Sequence, residues 1–242
     1  MLVLSPHLDD AALSCPTYLQ RTPDAYVATV FTEGDDAHYR RRRSEDRKAL
    51  RELGARPIHL GFLDAPYRSP KYRDFCGIVF GRAREYRGSV RAVAQAIEEL
   101  DSRLRPRVIL APLAIGNHVD HRVVREAALA VVSSDRLLFY EDRPYAFVPK
   151  SWKHYFAARY VRRYRGTATD RRIMKAWESV PPFPHSLRRM SLLKMKPTEL
   201  TRTLRSLSAY RSQLPDLFED AAEMRRLYHS TPEKLYRLDL GN

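Results

Sequence analysis

Two short polar segments carry the residue types that metal-assisted hydrolysis needs. They are residues 5–10, with the sequence SPHLDD, and residues 116–121, with the sequence GNHVDH. Two imidazoles with one carboxylate form a common catalytic zinc set, which leaves a coordination position open for water. A second carboxylate can then act as a general base, and a further histidine that stays protonated can stabilise an oxyanion. The two segments together therefore predict a hydrolytic metal centre.

Each segment also has an ordinary structural interpretation. Asp9 or Asp10 can cap the free N–H groups at the start of a helix, and residues 118–121 can form a surface turn followed by a helix cap. Both segments, however, follow directly after a predicted strand. Ligands bind at the carboxyl ends of the strands in open α/β sheets, so we expect the two segments to meet in the fold.

The elements that must position these segments alternate between strands and helices. A continuous apolar run such as residues 25–31 is typical of a strand buried on both faces. The alternation predicts an α/β fold class with a Rossmann-like, mostly parallel sheet flanked by helices. The predicted strands are 2–4, 25–31, 57–62, 108–111 and 137–140, and the predicted helices are 10–18, 40–53, 90–104 and 119–132.

The second half of the chain differs in charge. Residues 151–200 contain 12 Lys or Arg and three Asp or Glu, so most of the net charge of +14 lies there. Helices are predicted at 199–212 and 217–228, and a last strand at 234–238. We predict a single domain over 1–242, in which an α/β catalytic core (1–150) carries a basic, mainly helical C-terminal extension (151–242).

Composition excludes several classes of protein. A hydrophobic content of 44% and 14 Tyr argue against intrinsic disorder, and no window approaches the run of about 20 apolar residues that a membrane span needs. The first residues lack a secretory signal and two cysteines cannot form a disulfide scaffold, so a cytoplasmic location is expected. The charge leaves open a nucleic-acid binder, a membrane-surface protein or an enzyme for anionic substrates.

The chain resembles the PIG-L (LmbE-like) family of zinc-dependent N-acetylglucosaminyl deacetylases. The two specific motifs are P-H-x-D-D at 6–10 and H-x-D-H at 118–121. The sequence departs from the family pattern at Leu8, where the family often has Pro, and at Ala11, where it often has Glu. Weaker motifs follow in order along nearly the whole chain: R-x-x-E at 42–45, G-[YF]-x-D at 61–64, Y-E-D-x-P-Y at 140–145 and Y-x-S-Q at 210–213.

The resemblance implies a metal centre and a base. His7, Asp10 and His121 would bind one Zn²⁺ per chain, although other divalent metals suit the same ligands. Asp9 would be the general base that deprotonates the zinc-bound water.

The resemblance also implies roles for four further residues. His118 would be the electrophilic group on the tetrahedral oxyanion. Asp120 would orient and support a histidine, either His118 or His121 beside it in the sequence. Arg42 and Asp64 would contact the sugar.

These roles predict a zinc-dependent hydrolase that removes an N-acetyl or other N-acyl group from an amino sugar or glycoconjugate. One alternative is a basic nucleic-acid-binding protein, although no helix-turn-helix, RNA-recognition or zinc-finger signature is present. Another is a deacylase of a lipid-linked sugar at an anionic membrane face, because basic residues between 153 and 196 have aromatic neighbours. A basic lobe that borders the pocket would favour an anionic sugar. Oligomerisation stays open.

Overall fold

One mixed sheet organises the computed structural model, which describes residues 1–147, 183 and 186–240. The strand order is β3-β2-β1-β4-β5-β7-β6. Strands β1 to β5 are parallel, whereas β7 runs antiparallel to both β5 and β6. The strands are β1 (Leu2–Ser5), β2 (Tyr26–Glu33), β3 (Arg56–Leu63), β4 (Ile109–Pro112), β5 (Leu137–Tyr140), β6 (Ser186–Leu193) and β7 (Glu233–Asp239).

Helices cover both faces of this sheet. The α/β fold class, with its Rossmann-like and mostly parallel sheet, is therefore confirmed. The helices are α1 (Asp10–Ser14), α2 (Pro16–Arg21), α3 (Asp36–Glu52), α4 (Ala65–Arg68), α5 (Phe75–Phe80), α6 (Tyr86–Leu104), α7 (Val119–Val131), α8 (Pro197–Leu207), α9 (Leu214–Leu217) and α10 (Ala221–Ser230), with 3₁₀ turns at Pro70–Tyr72 and Tyr145–Phe147.

The alternation of side chains along β1 shows how the core divides between the two faces. Leu2 and Leu4 pack into the cluster that contains Ile97 of α6. Val3 points to the opposite face and packs into the cluster that contains Leu50 of α3. Because successive strand residues face opposite sides, a strand covered on both faces must be apolar throughout.

The strand order places one crevice between β1 and β4. From β1 the chain proceeds outward through β2 and β3, and it then returns to the other side of β1 to form β4 and β5. In open α/β sheets such a reversal of strand order is where ligands bind, at the carboxyl ends of the two strands. Both histidine segments begin at this crevice, since one follows β1 and the other follows β4.

Two helix ends illustrate how local chemistry sets the boundaries. The predicted helix 10–18 is two helices, α1 and α2, because Pro16 has no N–H to continue the ladder of α1. Gly54 ends α3 as predicted and adopts a φ of 81°, a left-handed conformation that glycine tolerates best. The N–H of Ala55 then bonds to the carbonyl of Leu50 at 2.9 Å.

The C-terminal part contributes both helices and strands. β7 agrees with the predicted strand 234–238, whereas β6 was not predicted, since its exposed arginines conceal the pattern of an edge strand. α8 and α10 pack on the α1–α3 face of the sheet: Ser206 Oγ donates to the carbonyl of Ala49 at 2.8 Å, and Tyr228 Oη donates to that of Leu13 at 2.7 Å. The boundary at residue 150 stays a prediction, because residues 148–182 lie outside the described ranges.

Most of the basic stretch 151–200 likewise lies outside the described residues. The nucleic-acid and membrane-face alternatives depend on that stretch, and they stay predictions. Within the described ranges, none of the helices combines the length and the apolar character that crossing a bilayer requires.

Candidate active site

The turn between β1 and α1 is held by its own polar atoms. Ser5 Oγ donates to the carbonyl of His7 at 2.8 Å and accepts the N–H of Ala11 at 3.0 Å. The N–H of His7 donates to Oδ2 of Asp10 at 2.7 Å. These bonds fold the strand end directly into the helix, so that the side chains of His7 and Asp10 lie side by side.

The turn between β4 and α7 is equally tight. Ala114, Gly116 and Asn117 have φ values of 62°, 90° and 58°, and a Cβ on Gly116 would lie 2.9 Å from the ring of Tyr145. His118 caps α7, because its Nδ1 accepts the N–H of Asp120 at 3.1 Å. The helix-cap interpretation is therefore correct for His118, and it does not conflict with a chemical role.

The two turns bring three side chains to one point. Oδ2 of Asp10 lies 3.2 Å from Nδ1 of His7 and 3.3 Å from Nε2 of His121. Burial opposes ionisation of Asp10, but the imidazoles of His121 and His7 outweigh it and lower the pKa of this carboxyl. The three residues assigned to the metal by resemblance are thus neighbours in the fold.

A fully buried carboxylate lies behind each of the two histidines. Nε2 of His7 is 3.2 Å from Oδ2 of Asp120, and Nδ1 of His121 is 2.6 Å from Oδ1 of Asp142. Asp120 therefore supports His7 and not its sequence neighbours His118 or His121. The helical geometry of α7 explains this correction, since it directs the Asp120 side chain towards the β1 turn.

This arrangement fits a divalent metal ion. Histidines that bind metals usually donate their second ring N–H to a carboxylate or carbonyl, which fixes the tautomer. His7 and His121 each turn one nitrogen towards Asp10 and the other towards a buried carboxylate. Nitrogens of His7, His118 and His121 also lie within 4.8 Å of one another. The Nδ1 of His118 accepts a backbone N–H, so Nε2 is the nitrogen through which His118 faces the cluster.

Asp9 is a buried carboxyl group next to this cluster. Its side chain does not cap α1, and it has no hydrogen-bond partner among the described residues. Burial and the adjacent charge of Asp10 raise the pKa of Asp9 to about 6, against the opposing influence of Arg42. A carboxyl group with this pKa exchanges protons near neutrality, as a general base requires.

His118 is neutral in this environment. Burial, followed by the imidazoles of His7 and His121, holds the pKa of His118 well below its usual range. The protonated form expected from the sequence is therefore disfavoured. Because Nδ1 accepts the N–H of Asp120, the ring proton lies on Nε2, which can still donate a hydrogen bond to a developing oxyanion.

Arg42 and Asp64 lie together at the same site. Nη1 of Arg42 is 3.8 Å from Oδ2 of Asp64 and 3.4 Å from the hydroxyl of Tyr39, which in turn donates to Asp64. Arg42 is buried, and its Nε has no partner among the described residues. The pair thus offers both a cationic donor and an acidic acceptor.

These residues line a cavity of about 180 Å³. Its volume is below the range of about 300–1,000 Å³ that is typical of drug-sized ligands, and it suits a single ring or an acylamino group. Four further residues line it: Pro144 and Tyr145, which end the Y-E-D-x-P-Y motif, and Leu13 and Leu217, which belong to none of the motifs. No spacing pattern singles out Leu13 or Leu217, since one lies in α1 and the other in α9.

Two polar residues at the site, Asp142 and Arg68, are not among the site residues predicted from the sequence. Asp142 belongs to the Y-E-D-x-P-Y motif, so that motif marked the position without indicating its partner. Arg68, in α4, bonds through Nη2 to Oδ1 of Asp120 at 2.5 Å and lies over the ring of Phe31. No sequence signal indicated Arg68.

The R-x-x-E and Y-x-S-Q motifs meet in the middle of α3, about one turn beyond Arg42. The carboxylate of Glu45 accepts from the hydroxyl of Ser212 at 2.5 Å, and Oδ1 of Asp46 accepts from the hydroxyl of Tyr210 at 2.8 Å. These bonds anchor the helix that carries Arg42.

Comparison with solved structures shows the fold over nearly the whole chain. A deacetylase triple mutant of the teicoplanin biosynthetic pathway superimposes with a TM-score of 0.70 at 23% identity, covering 98% of this chain and 97% of that one. A deacetylase–teicoplanin complex gives a TM-score of 0.68 at 25% identity, covering 98% and 96%. A zinc-inhibited form of teicoplanin deacetylase gives 0.67 at 24% identity, covering 99% of both chains.

Sequence comparison adds two findings. The chain is 38% identical over 165 residues to 2'-N-acetylparomamine deacetylase of Streptomyces fradiae, and the match spans 60% of this chain but only 57% of that relative. The model of the PIG-L family, described as GlcNAc-PI de-N-acetylase, matches residues 2–132, which is more than half of the chain and includes both histidine motifs. This protein therefore belongs to the PIG-L family.

Proposed function

We propose that this protein is a metal-dependent N-deacetylase that hydrolyses the acetamido group of an amino sugar. The observation that carries the proposal is the convergence of His7, Asp10 and His121, with each histidine held from behind by a buried carboxylate. Membership of the PIG-L family supports the same reaction class.

His7, Asp10 and His121 would hold the ion, with Zn²⁺ as the first choice for two imidazoles and one carboxylate. A divalent ion bound there acts as a Lewis acid towards the amide carbonyl and lowers the pKa of water. Asp120 keeps the imidazole of His7 in the orientation and tautomer that leave one nitrogen free for a ligand bond.

Asp9 takes the proton from the attacking water. Its pKa of about 6 means that most of the carboxyl groups are ionised at neutral pH and yet basic enough to accept that proton. Once protonated, Asp9 returns this proton to the nitrogen of the departing amine, so that cleavage of the C–N bond releases a neutral amine. The nearby guanidinium of Arg42 limits how far the pKa of Asp9 rises.

His118 stabilises the negative charge that develops on the carbonyl oxygen. The neutral ring donates from Nε2, because the N–H of Asp120 occupies Nδ1. Because this donor is already oriented before the reaction, little free energy is needed to reorganise it in the transition state. Removal of such a donor typically lowers kcat by a factor of about 10²–10³.

Arg42 and Asp64 select the sugar. An arginine and a carboxylate side by side can donate to and accept from neighbouring hydroxyl groups of one ring. The names of the relatives concern acetylated aminoglycosides and the teicoplanin pathway, and they support an N-acetylated amino sugar attached to a larger aglycone. The small cavity would then admit the acetamido sugar, with the aglycone outside.

The test is a fluorescamine screen for amine release over N-acetylated amino sugars, aminoglycosides and glycopeptides, with metal content measured in parallel. We expect about one zinc per chain, activity on at least one acetamido sugar, and loss of activity with a chelator that zinc restores. Asp9→Asn should lose activity and keep its zinc, whereas the control Asp36→Asn, at an exposed position of α3, should keep both. Full activity of Asp9→Asn, or activity that no chelator affects, would overturn the mechanism.

A further inference from the structure

We propose that Asp142 is a positioning residue that fixes the tautomer of His121 and anchors the loop that carries His118. The inference rests on the metal site of the proposed function and assigns a role to a residue outside the motifs P-H-x-D-D and H-x-D-H. Asp142 lies just after β5, and its carboxylate reaches back to the turn that follows β4.

Both oxygens of Asp142 are engaged, and the side chain is fully buried. Oδ1 is 2.6 Å from Nδ1 of His121, and Oδ2 accepts the N–H of Ile115 at 2.9 Å. An ionised carboxylate accepts hydrogen bonds and donates none. The two contacts therefore require that both facing atoms carry a proton.

The first contact decides which nitrogen of His121 can bind a cation. With the proton on Nδ1, the lone pair of a neutral imidazole lies on Nε2. Nε2 is the atom that faces Asp10, at 3.3 Å from Oδ2. Asp120 does the same for His7 from the other side, so the two ligands are oriented by two separate carboxylates.

The second contact holds the loop between β4 and α7. The N–H of Ile115 lies between Ala114 and Gly116, two residues with positive φ, and this loop ends at His118. One carboxylate therefore bonds both to the loop and to His121 in the helix that follows the loop. Through these two bonds Asp142 fixes the position of His118, the oxyanion donor, relative to His121, the metal ligand.

Asp142→Asn is the sharpest variant, because the amide has nearly the same shape but only one acceptor oxygen. If its NH₂ faces His121, the ring proton must move to Nε2 and blocks the ligand bond. If its NH₂ faces Ile115 instead, two donors oppose each other and the loop loses its anchor. We expect the zinc affinity of metal-stripped protein to fall by about 10–100-fold in a competition titration.

Asp46→Asn is the matched control. Asp46 is also buried, and it also holds a histidine and a second donor: Oδ2 lies 2.8 Å from Nε2 of His59, and Oδ1 accepts from the hydroxyl of Tyr210. Among the described residues, neither Asp46 nor His59 belongs to a group of three or more His, Cys, Asp or Glu side chains that lie close enough together to hold one metal ion. Asp46→Asn should lower stability and leave zinc affinity within about twofold of the unsubstituted chain, unlike a contact made to a metal ligand.

Zinc affinity of Asp142→Asn within about twofold of the unsubstituted chain would overturn the inference and leave the proposed function standing. Failure of the unsubstituted chain to bind zinc would overturn both. If Asp142→Asn does not fold, ¹⁵N NMR of the zinc-loaded unsubstituted protein decides the matter. A proton on Nδ1 of His121 supports the inference, and a proton on Nε2 overturns it.

Discussion

Pairs of a histidine with a buried carboxylate occur in two regions of the described structure. One region is the crevice between β1 and β4, where Asp120 holds His7 and Asp142 holds His121. The other lies between α3 and β3, where Asp46 holds His59. The pairs resemble each other in distance and burial, so neither property distinguishes a reactive site from a structural one.

The difference lies in the second nitrogen of each ring. In the crevice, the free nitrogens of His7 and His121 both face the carboxylate of Asp10. The second nitrogen of His59 instead accepts from the exposed guanidinium of Arg47 at 3.3 Å. A histidine–carboxylate pair thus becomes a candidate metal site only where a second ring and a third ligand converge on it.

Replacing one histidine in each region gives the largest expected contrast. His118→Ala should lower kcat/KM for amine release by about 10²–10³, because it removes the oriented Nε2–H donor. His59→Ala should leave kcat/KM close to the unsubstituted value. Equal losses in the two variants would show that both clusters serve only to support the fold.

Asp120→Asn tests the carboxylate behind His7. We expect zinc affinity to fall by about 10–100-fold, because an amide that donates to Nε2 would prevent this ring from keeping its tautomer. The control is Asp101→Asn, which removes the negative charge that pairs with Arg136 at 2.5 Å, away from the crevice. Unchanged zinc binding in Asp120→Asn, measured by competition titration, would remove the proposed role of this contact.

Tyr210→Phe tests the structural cluster. The change leaves Oδ1 of the buried Asp46 without its donor, so the free energy of unfolding should fall by about 1–3 kcal/mol. Zinc affinity should not change. Urea denaturation with and without zinc measures both quantities, and a selective loss of zinc affinity would show that the two regions are coupled.

Arg47→Ala should have the smallest effect, below about 0.5 kcal/mol in unfolding free energy, because its side chain is exposed. The change frees the second nitrogen of His59 without adding a converging ligand. Metal analysis should therefore still find one zinc per chain. A second bound zinc would contradict the conclusion that convergence, and not a free nitrogen, makes the site.

Much of the candidate site could be predicted from the sequence, because its residues lie in two compact motifs at strand ends. His7, Asp9 and Asp10 follow β1, and the residues from His118 to His121 follow β4. The partner of Asp120 could not be predicted. Its neighbours in the sequence are two histidines, but the direction of its side chain on α7 brings it to His7.

The protonation of His118 and the role of Asp142 also needed three dimensions. The pKa of His118 depends on burial and on two imidazoles, one of which belongs to a segment far away in the chain. Asp142 acts through contacts with two residues of the preceding loop and helix. Neither property is encoded in a local spacing.

The sequence by itself determined the alternation of strands and helices and the presence of two histidine motifs at strand ends. Both follow from local patterns of apolar and polar residues, which act within a few positions. Only the tertiary structure decided which carboxylate supports which histidine, since that depends on the strand order that makes β1 and β4 neighbours. The same order places β6 and β7 in the sheet, through long-range pairing that local sequence patterns do not specify.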